Sequence, residues 1–334
     1  MITVAALAAG ALAADVPAVQ LAGGRRFAYA GTFSSERDVN PKRSFWKKLV
    51  DVVAGPPQFR CIVRPYGIAT DFRGAVLVTD PGAQLVHVFD FEQKKYRHLD
   101  GGGKRRFRSP IGVATDGENI YVTDSYLGRI FVFDRNYKFR RFLGEAGGEG
   151  FFKRPTGIAI DRNARRIYLS DTLRDKIYVL DLDGNVLHSF GQRGTAPGEF
   201  NFPADLALRG DELIVNDSMN FRVQIFDPQG GFRGTFGKAG TSTGTLYRAK
   251  GVAVDSEGDI YVADAAFETV QLFDREGRLL YYFGGTGTGP GQFQLPAGLS
   301  IDQQDRVYVA DSLNRRVQVF QFTAAPASGK GGAQ

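Results

Sequence analysis

Short runs of apolar residues recur along the chain in a fixed order, about every 46 residues. In one copy, an apolar run at Gly112–Ala114 is followed by Tyr121–Asp124 and then by Arg129–Asp134. The runs are short, and many alternate apolar with polar residues, which is typical of β-strands. Six copies can be aligned, with first strands that begin near Pro65, Pro110, Pro155, Pro203, Lys250 and Pro296.

Each repeat contains four such runs. The first is short and apolar, the second is rich in Tyr, Val and Ile, the third alternates, and the fourth often ends in Phe-Gly, as at Phe190-Gly191. Val, Ile, Tyr and Phe favour strands, and the Asp- and Gly-containing segments between the runs favour turns. The pattern predicts an all-β fold, a six-bladed β-propeller with four antiparallel strands in each blade.

The two ends of the chain predict how the ring closes. The last repeat stops after its third run, Arg316–Phe320, whereas an isolated strand-like segment, Phe27–Gly31, precedes the first repeat. We expect this N-terminal strand to complete the sixth blade, because an unpaired edge would promote aggregation. The propeller is then predicted to span residues 25–322 as one domain.

These repeats, with their Gly-Val-Ala and Tyr-Val-x-Asp segments, resemble NHL repeats, and the chain is similar to the six-bladed NHL-repeat propellers of bacteria. The resemblance covers roughly residues 60–322. It implies the fold strongly and the function weakly, because the residues that the family shares are mostly structural. Bacterial relatives accompany envelope or extracellular electron-transfer systems, so the resemblance also implies an envelope partner such as a multihaem cytochrome.

An aspartate ends the second run of every repeat, and a basic residue follows five positions later in four repeats. The aspartates are Asp80, Asp124, Asp171, Asp217, Asp264 and Asp311, and the basic residues are Arg129, Lys176, Arg222 and Arg316. A ring of carboxylates for metal binding or acid–base chemistry is one interpretation. We favour a structural role, in which each aspartate hydrogen-bonds its loop and pairs with the base.

In a propeller, the loops that lead into the first strands emerge at the same end as the loops between second and third strands. Large apolar side chains beside arginines on exposed loops are typical of protein interfaces. The candidate binding residues between second and third strands are Tyr126, Leu127, Leu173, Arg174, Met219, Asn220, Phe221, Phe267, Leu313, Asn314 and Arg315. Those at the start of the first strands are Arg64, Tyr66, Arg154 and Lys250.

The fourth repeat departs from the others in its first run. Five repeats have glycine there, whereas the fourth has Asp205. We place Asp205 near the mouth of the central channel, where it could bind an ion or a basic group of a partner. The alternative is a hydrogen bond to the neighbouring blade, because a buried acid needs a partner.

Outside the repeats, residues 1–14 are apolar and rich in alanine and predict a signal peptide, hence a secreted or periplasmic protein. Residues 323–334 predict a disordered tail. A short helix is expected over residues 44–53, where Trp46, the only tryptophan, either covers the propeller or docks a partner.

The formal net charge is +6, and the excess lies in the first half of the chain. Basic clusters occur at Lys94-Lys95, at Lys104–Arg108 and at Arg140-Arg141. They predict either a solvated rim or an anionic partner, whether a protein, a polysaccharide or a lipid surface. Some eukaryotic NHL propellers bind RNA, but a secreted protein rarely meets nucleic acid.

An enzymatic function finds little support in the residues. The three histidines, His87, His98 and His188, fall on third or outermost strands and cannot converge on the channel. We therefore predict no cofactor, no metal site and no catalytic residues. The favoured function is a non-catalytic, monomeric protein-binding scaffold. The alternatives are a metal-dependent lactonase or lyase, and a nucleic-acid binder with a basic face.

Overall fold

The computed structural model describes residues 19–20, 26–39, 59–102 and 105–323. These residues form six antiparallel blade sheets. Five of them have four consecutive strands, and the last has five, because two N-terminal strands join three strands from the end of the propeller. Helix is confined to Glu36–Val39 (α1) and to a 3₁₀ turn at Ser218–Asn220. No helix in these ranges is long and apolar enough to cross a membrane.

The strands are numbered along the chain. The N-terminal pair is β1 (Val19–Gln20) and β2 (Arg26–Phe33). Blade one consists of β3 (Ile68–Thr70), β4 (Val76–Asp80), β5 (Leu85–Asp90) and β6 (Lys95–Leu99). Blade two consists of β9 (Pro110–Thr115), β10 (Asn119–Asp124), β11 (Arg129–Asp134) and β12 (Phe139–Leu143). Two small hairpins flank blade two: β7 (Gly101–Gly102) with β8 (Arg105–Arg106), and β13 (Glu145–Ala146) with β14 (Glu149–Gly150).

The remaining blades follow the same order. Blade three consists of β15 (Pro155–Asp161), β16 (Arg166–Asp171), β17 (Lys176–Asp181) and β18 (Val186–Phe190). Blade four consists of β19 (Pro203–Arg209), β20 (Glu212–Asp217), β21 (Arg222–Phe226) and β22 (Phe232–Phe236). Blade five consists of β23 (Ala249–Val254), β24 (Ile260–Asp264), β25 (Thr269–Phe273) and β26 (Leu279–Gly284). Blade six consists of β27 (Pro296–Ile301), β28 (Arg306–Asp311), β29 (Arg316–Thr323) and the N-terminal β2.

Burial along the strands explains the sequence pattern. The second strand is enclosed between neighbouring blades, so that every residue of Val76–Asp80 is buried. The fourth strand lies at the rim and leaves one face in water, so that Val186–Phe190 is only partly covered. A strand enclosed on both faces needs a continuous apolar run, whereas a strand exposed on one face does not.

The prediction that an N-terminal strand closes the ring is confirmed. Strand β2 pairs antiparallel with β29, from Arg26 opposite Thr323 to Phe33 opposite Val317. The ring of Phe27 stacks on Phe320 with centroids 5.4 Å apart, and Phe33 lies 4.8 Å from Phe89 of blade one. Strand β2 therefore joins the last blade to the first.

Several predictions fall outside the described residues. The signal peptide at 1–14, the helix at 44–53 with Trp46, and the tail beyond Thr323 all lie there. Thr323 itself belongs to β29, one residue beyond the predicted end of the propeller.

Candidate binding face and channel mouth

Two sets of loops lie together at one end of the propeller. In blades two, three and five, the residue after the second strand donates its backbone N–H to the residue that precedes the first strand of the same blade. Ser125 donates to the Ser109 carbonyl at 2.9 Å, and Ala265 donates to the Arg248 carbonyl at 3.0 Å. We call this end the loop face. It is the end on which the sequence placed the candidate binding residues.

Buried aspartates hold the loop face together. Asp80, for example, is fully buried; its Oδ2 accepts the N–H of Val63 at 2.6 Å, and its Oδ1 accepts that of Arg64 at 3.0 Å. Asp124, Asp171, Asp217, Asp264 and Asp311 are equally buried and accept N–H groups from the matching loops. A carboxylate that accepts several backbone N–H groups is a structural clamp.

The predicted ion pairs form in only two blades. Nε of Arg222 lies 2.8 Å from Oδ2 of Asp217, and Arg316 makes the same contact with Asp311. The prediction is wrong for Arg129, which pairs with Glu145 because the hairpin of β13 and β14 folds over it.

The prediction is also wrong for Lys176, which has no ion pair within the described part of the chain. In that blade Arg174 pairs with Asp171 instead, with Nη1 of Arg174 3.4 Å from Oδ2 of Asp171. The side chain of Arg174, one of the candidate binding residues, is thereby drawn toward the buried clamp.

The third strand supplies further donors that the sequence did not predict. Gln224 donates through Nε2 to Asp217 at 3.1 Å, and Gln318 donates to Asp311 at the same distance. His87 occupies the equivalent position, 3.2 Å from Asp80, and its other ring nitrogen lies 2.7 Å from the Tyr96 hydroxyl. His87 is therefore part of the clamp.

The first strands approach one another closely around the axis. A Cβ added to Gly112 would lie 2.2 Å from the carbonyl oxygen of Thr156 in the next blade, which explains why that position needs glycine. The close approach leaves a cavity of about 70 Å³ on the axis, with room for a few water molecules. Small-molecule sites usually occupy roughly 300–1,000 Å³.

Asp205 occupies the glycine position in blade four and reaches toward blade five. Its Oδ2 accepts the N–H of Val252 at 3.1 Å, so the hydrogen bond to a neighbouring blade, one of the two alternatives for Asp205, is present. The carboxyl also faces the axial cavity. Burial raises its pKa to about 7, with the Val252 and Leu206 N–H groups acting against that rise.

Replacing Asp205 by asparagine should stabilise the protein at high pH. Asparagine retains an acceptor for the Val252 N–H and removes the cost of ionising a buried carboxyl. Since the folded pKa lies above the unfolded value, the parent loses stability as pH rises from about 4 to about 7. The variant should avoid that loss, which is on the order of 4 kcal/mol.

Urea unfolding of both proteins between pH 4 and 8.5 measures this difference. We expect the variant's advantage to grow up to pH 7 and then to stay constant. An advantage that is the same at every pH would contradict the assigned ionisation.

Cations gather where the channel opens on the loop face. Arg64, Arg154 and Arg248 each precede a first strand, in blades one, three and five, and all three are exposed. Lys250 Nζ lies 5.7 Å from the centroid of the Tyr66 ring. These five residues, Arg64, Tyr66, Arg154, Arg248 and Lys250, form what we call the channel mouth.

The charges at the channel mouth act on one another. Burial is the main cause that raises the pKa of Tyr66 to about 12; the Asp205 charge also raises it, and Arg154, Arg64 and Arg248 oppose the rise. The pKa of Lys250 falls to about 8, first because of burial and then because of Arg248 and Arg64. Within the described residues, none of the four cations of the mouth forms an ion pair.

The sequence identified every residue of the channel mouth except Arg248. Arg248 occupies the same place in its repeat as Arg64 and Arg154, in the loop that leads into the first strand. The backbone N–H of each of the three donates to Oδ1 of the clamp aspartate in its blade. Alignment of the repeats at that position would have predicted it.

The predicted loop residues differ in how much they are exposed. Tyr126 is 73% exposed, and Leu173, Met219, Leu313 and Arg315 are exposed as well. Six of the others are partly buried, namely Leu127, Arg174, Asn220, Phe221, Phe267 and Asn314. Asn220 and Asn314 donate to the carbonyls of Gly194 and Gly287 and to the clamp aspartates, so their side chains hold the loops.

Three exposed apolar residues of the loop face were missed by the sequence. They are Val63, Phe151 and Tyr247, all on the loops that lead into first strands. The Tyr247 ring lies 5.8 Å from that of Phe221, and the Arg174 guanidinium lies 5.2 Å from the Phe151 ring. Phe151 and Tyr247 could have been predicted from the sequence, as aromatic residues on loops expected to be exposed.

The basic clusters of the sequence lie mostly on the rim and are partly neutralised. Arg106 faces Asp100 at 3.6 Å, Arg140 faces Asp134 at 3.2 Å, and Arg141 faces Asp183 at 3.0 Å. The unpaired cations of the mouth come instead from residues far apart in the chain. The described residues contain no group of three histidine, cysteine, aspartate or glutamate side chains arranged to hold a metal ion.

Comparison with known proteins identifies the repeats. A family described as NHL repeat matches residues 293–320, and one described as 6-bladed beta-propeller matches residues 108–189. The chain is a six-bladed β-propeller that contains an NHL repeat. A relative, NHL repeat-containing protein 2 of Gallus gallus, is 35% identical over 102 residues. That segment is 27% of this chain and only 14% of the relative.

Solved structures share the fold of this NHL-repeat propeller at low identity. Virginiamycin B lyase from Staphylococcus aureus has a TM-score of 0.56 and 14% identity, over 78% of this chain and 95% of that one. A propeller in a nidogen/laminin complex has a TM-score of 0.57 and 20% identity, over 75% and 89%. One neighbour is an enzyme and the other belongs to a protein complex, so the likeness shows the fold alone.

Proposed function

We propose that this NHL-repeat propeller is a binding scaffold that holds a partner protein on its loop face. The observation that carries the proposal is the set of exposed apolar side chains on that face, Tyr126, Leu173, Met219, Tyr247 and Leu313. The same face carries the four cations of the channel mouth, none of which forms an ion pair within the described part of the chain. Apolar and aromatic anchors beside arginine are the composition of protein interfaces.

The axial channel favours binding of a partner over turnover of a small molecule. Its cavity of about 70 Å³ is too small for a drug-sized ligand. No histidine lines it, since His87 is bonded to Asp80 and Tyr96 and His188 lies on the outer strand β18. The loop face, by contrast, carries the exposed apolar side chains of Tyr126, Leu173, Met219, Tyr247 and Leu313.

The proposed setting is the cell envelope or the exterior. Support comes from residues 1–14, whose apolar, alanine-rich composition is that of a signal peptide. We propose an envelope protein as the partner, and a multihaem cytochrome is the example suggested by the family resemblance.

The test compares two triple variants in the organism that makes the protein. One carries Tyr126→Ala, Leu173→Ala and Leu313→Ala on the loop face. The other carries Leu187→Ala, Leu280→Ala and Tyr282→Ala, which are exposed apolar residues of the outer strands. Crosslinking of intact cells and mass spectrometry identify the proteins attached to each tagged variant.

We expect one dominant partner with the parent and with the outer-strand variant, reduced about tenfold or more with the loop-face variant. Thermal unfolding confirms that both variants fold. Equal recovery from the two variants would contradict a binding site on the loop face.

A further inference from the structure

The four cations of the channel mouth are placed at a cost to stability. Lys250 is half-buried and lies above the Tyr66 ring, with Arg64 and Arg248 close enough to disfavour its charge. Like charges brought together without an ion-pair partner destabilise the folded chain. Such an arrangement indicates a group that arrives from outside and carries negative charge.

The geometry of the channel limits how that group can bind. Below the mouth, the first strands close to a cavity of about 70 Å³, and Asp205 contributes its carboxyl to the wall. A small anionic group has room at the opening, whereas a bulky ligand cannot descend the axis.

Resting on the proposed function, we infer that the channel mouth binds carboxylate side chains of an acidic segment of the partner protein. Arg64, Arg154 and Arg248 come from alternate blades, and the charges of all three act on Tyr66, which lines the axial cavity. A carboxylate held beside Tyr66 would therefore meet several guanidinium groups. Lys250 then neutralises the carboxylate from the side, and the neighbouring apolar loop residues contact the rest of the partner. Guanidinium groups bind carboxylates through paired, charge-assisted hydrogen bonds.

The surroundings favour an acidic peptide over nucleic acid. A nucleic-acid strand needs a basic track that follows its backbone, with aromatic platforms along it. Here the four cations of the channel mouth surround one opening and form no track that a nucleic-acid backbone could follow. The exposed residues of the same face include the aliphatic Leu173, Met219 and Leu313 as well as the aromatic Tyr126 and Tyr247. A charged centre within a mixed aliphatic and aromatic surface is the pattern of a protein contact.

The test uses a fluorescent hexaglutamate peptide and fluorescence anisotropy. The mouth variant carries Arg64→Gln, Arg154→Gln and Lys250→Gln. The control variant carries Lys153→Gln, Arg193→Gln and Lys238→Gln, which removes the same charge from exposed positions on loops of the same face. A nonspecific effect of net charge would weaken binding equally in both variants.

We expect the mouth variant to bind the peptide at least about tenfold more weakly than the parent, and the control less than about threefold more weakly. The melting temperature of the mouth variant should stay equal or rise, because like charges are removed. Equal weakening in the two variants, or no binding by the parent, would overturn the inference.

Affinity should also fall as pH rises from 6 to 9.5. Asp205 ionises near pH 7 and adds repulsion, and Lys250 loses its charge near pH 8. Tyr66, whose pKa is raised to about 12, stays neutral in this range, and Arg64, Arg154 and Arg248 are the other charged groups that face the opening. With Lys250→Gln alone, the step near pH 8 should disappear while the step near pH 7 remains. A profile that Lys250→Gln leaves unchanged would overturn the role of Lys250.

Two competitors test whether the channel mouth prefers an acidic peptide to other anions. Inorganic phosphate that displaces the peptide at equal concentration would show a free-anion site, and an RNA oligonucleotide that binds more tightly and loses its binding in the mouth variant would show a nucleic-acid site. Either result would overturn the assignment to an acidic peptide. If the loop-face variant loses its partner while the mouth variant keeps it, the proposed scaffold function stands and this inference fails.

Discussion

A chain that lacks β2 is expected to lose its cooperative unfolding transition. Removal of Arg26–Phe33 exposes the edge of β29 and uncovers Phe320 and Phe283, which pack against Phe27. It also removes Phe33 from its contact with Phe89 across the junction of the sixth and first blades. No other strand in the described part of the chain pairs with that edge of β29.

Point substitutions test the same closure in a chain that still folds. Phe27 and Phe33 are almost completely buried, and each replacement by alanine should cost about 3–5 kcal/mol. The melting temperature should fall by roughly 10 °C for each. Phe232→Ala is the matched control, because Phe232 is 40% exposed on the outer strand of blade four and should cost about 1 kcal/mol.

Two results bear on whether ring closure is the cause. A synthetic peptide of residues 19–39, added to the truncated protein, should restore part of the lost melting temperature. A truncated protein that melts like the parent would show that β2 does not hold the ring together.

Replacing Asp217 by alanine should destabilise the protein by about 3–5 kcal/mol. The carboxylate is fully buried and accepts the Asn201 N–H at 2.7 Å and the side chains of Asn220 and Arg222, both at 2.8 Å. Gln224 adds a further donor. Loss of the Asp217 carboxylate leaves the Arg222 guanidinium, which is little exposed, and several hydrogen-bond donors without their acceptor.

The matched control is Asp211→Ala in the turn before β20. Asp211 is 76% exposed and pairs with Arg233 at 2.9 Å, so its loss should cost less than about 1 kcal/mol. Urea unfolding at neutral pH compares the two variants. Similar small losses in both would mean that the ring of aspartates does not serve the fold, and its interpretation as a site for chemistry would regain weight.

The fold could be predicted from the sequence because the same local pattern is written six times. A single copy of Gly112–Asp134 could belong to many β-proteins, whereas six copies in register leave few arrangements. Ring closure followed because the last copy lacked a fourth strand and Phe27–Gly31 had no partner. Each of these inferences depends on backbone pairing, which alternating patterns encode directly.

Not all of the ion pairs could be predicted from the local sequence pattern. Arg129 and Arg316 stand at the same distance from an aspartate in the chain, yet Arg129 pairs with Glu145. The difference comes from the hairpin of β13 and β14, which exists only before blade three. A side chain takes the nearest acceptor in space, and spacing along the chain does not specify it.

The sequence alone determined the repeat, the six blades, the strand that closes the ring and the end on which its loops lie. Only the tertiary structure decided which charges remain unpaired. Arg106, Arg140 and Arg141 belong to basic clusters that are conspicuous in sequence, and they pair with aspartates at the rim. Arg64, Arg154 and Arg248 are about 90 residues apart in the chain, yet the charges of all three act on Tyr66 beside the axial cavity. Closure of a ring brings equivalent positions of all blades together, and that proximity has no counterpart in the linear order of residues.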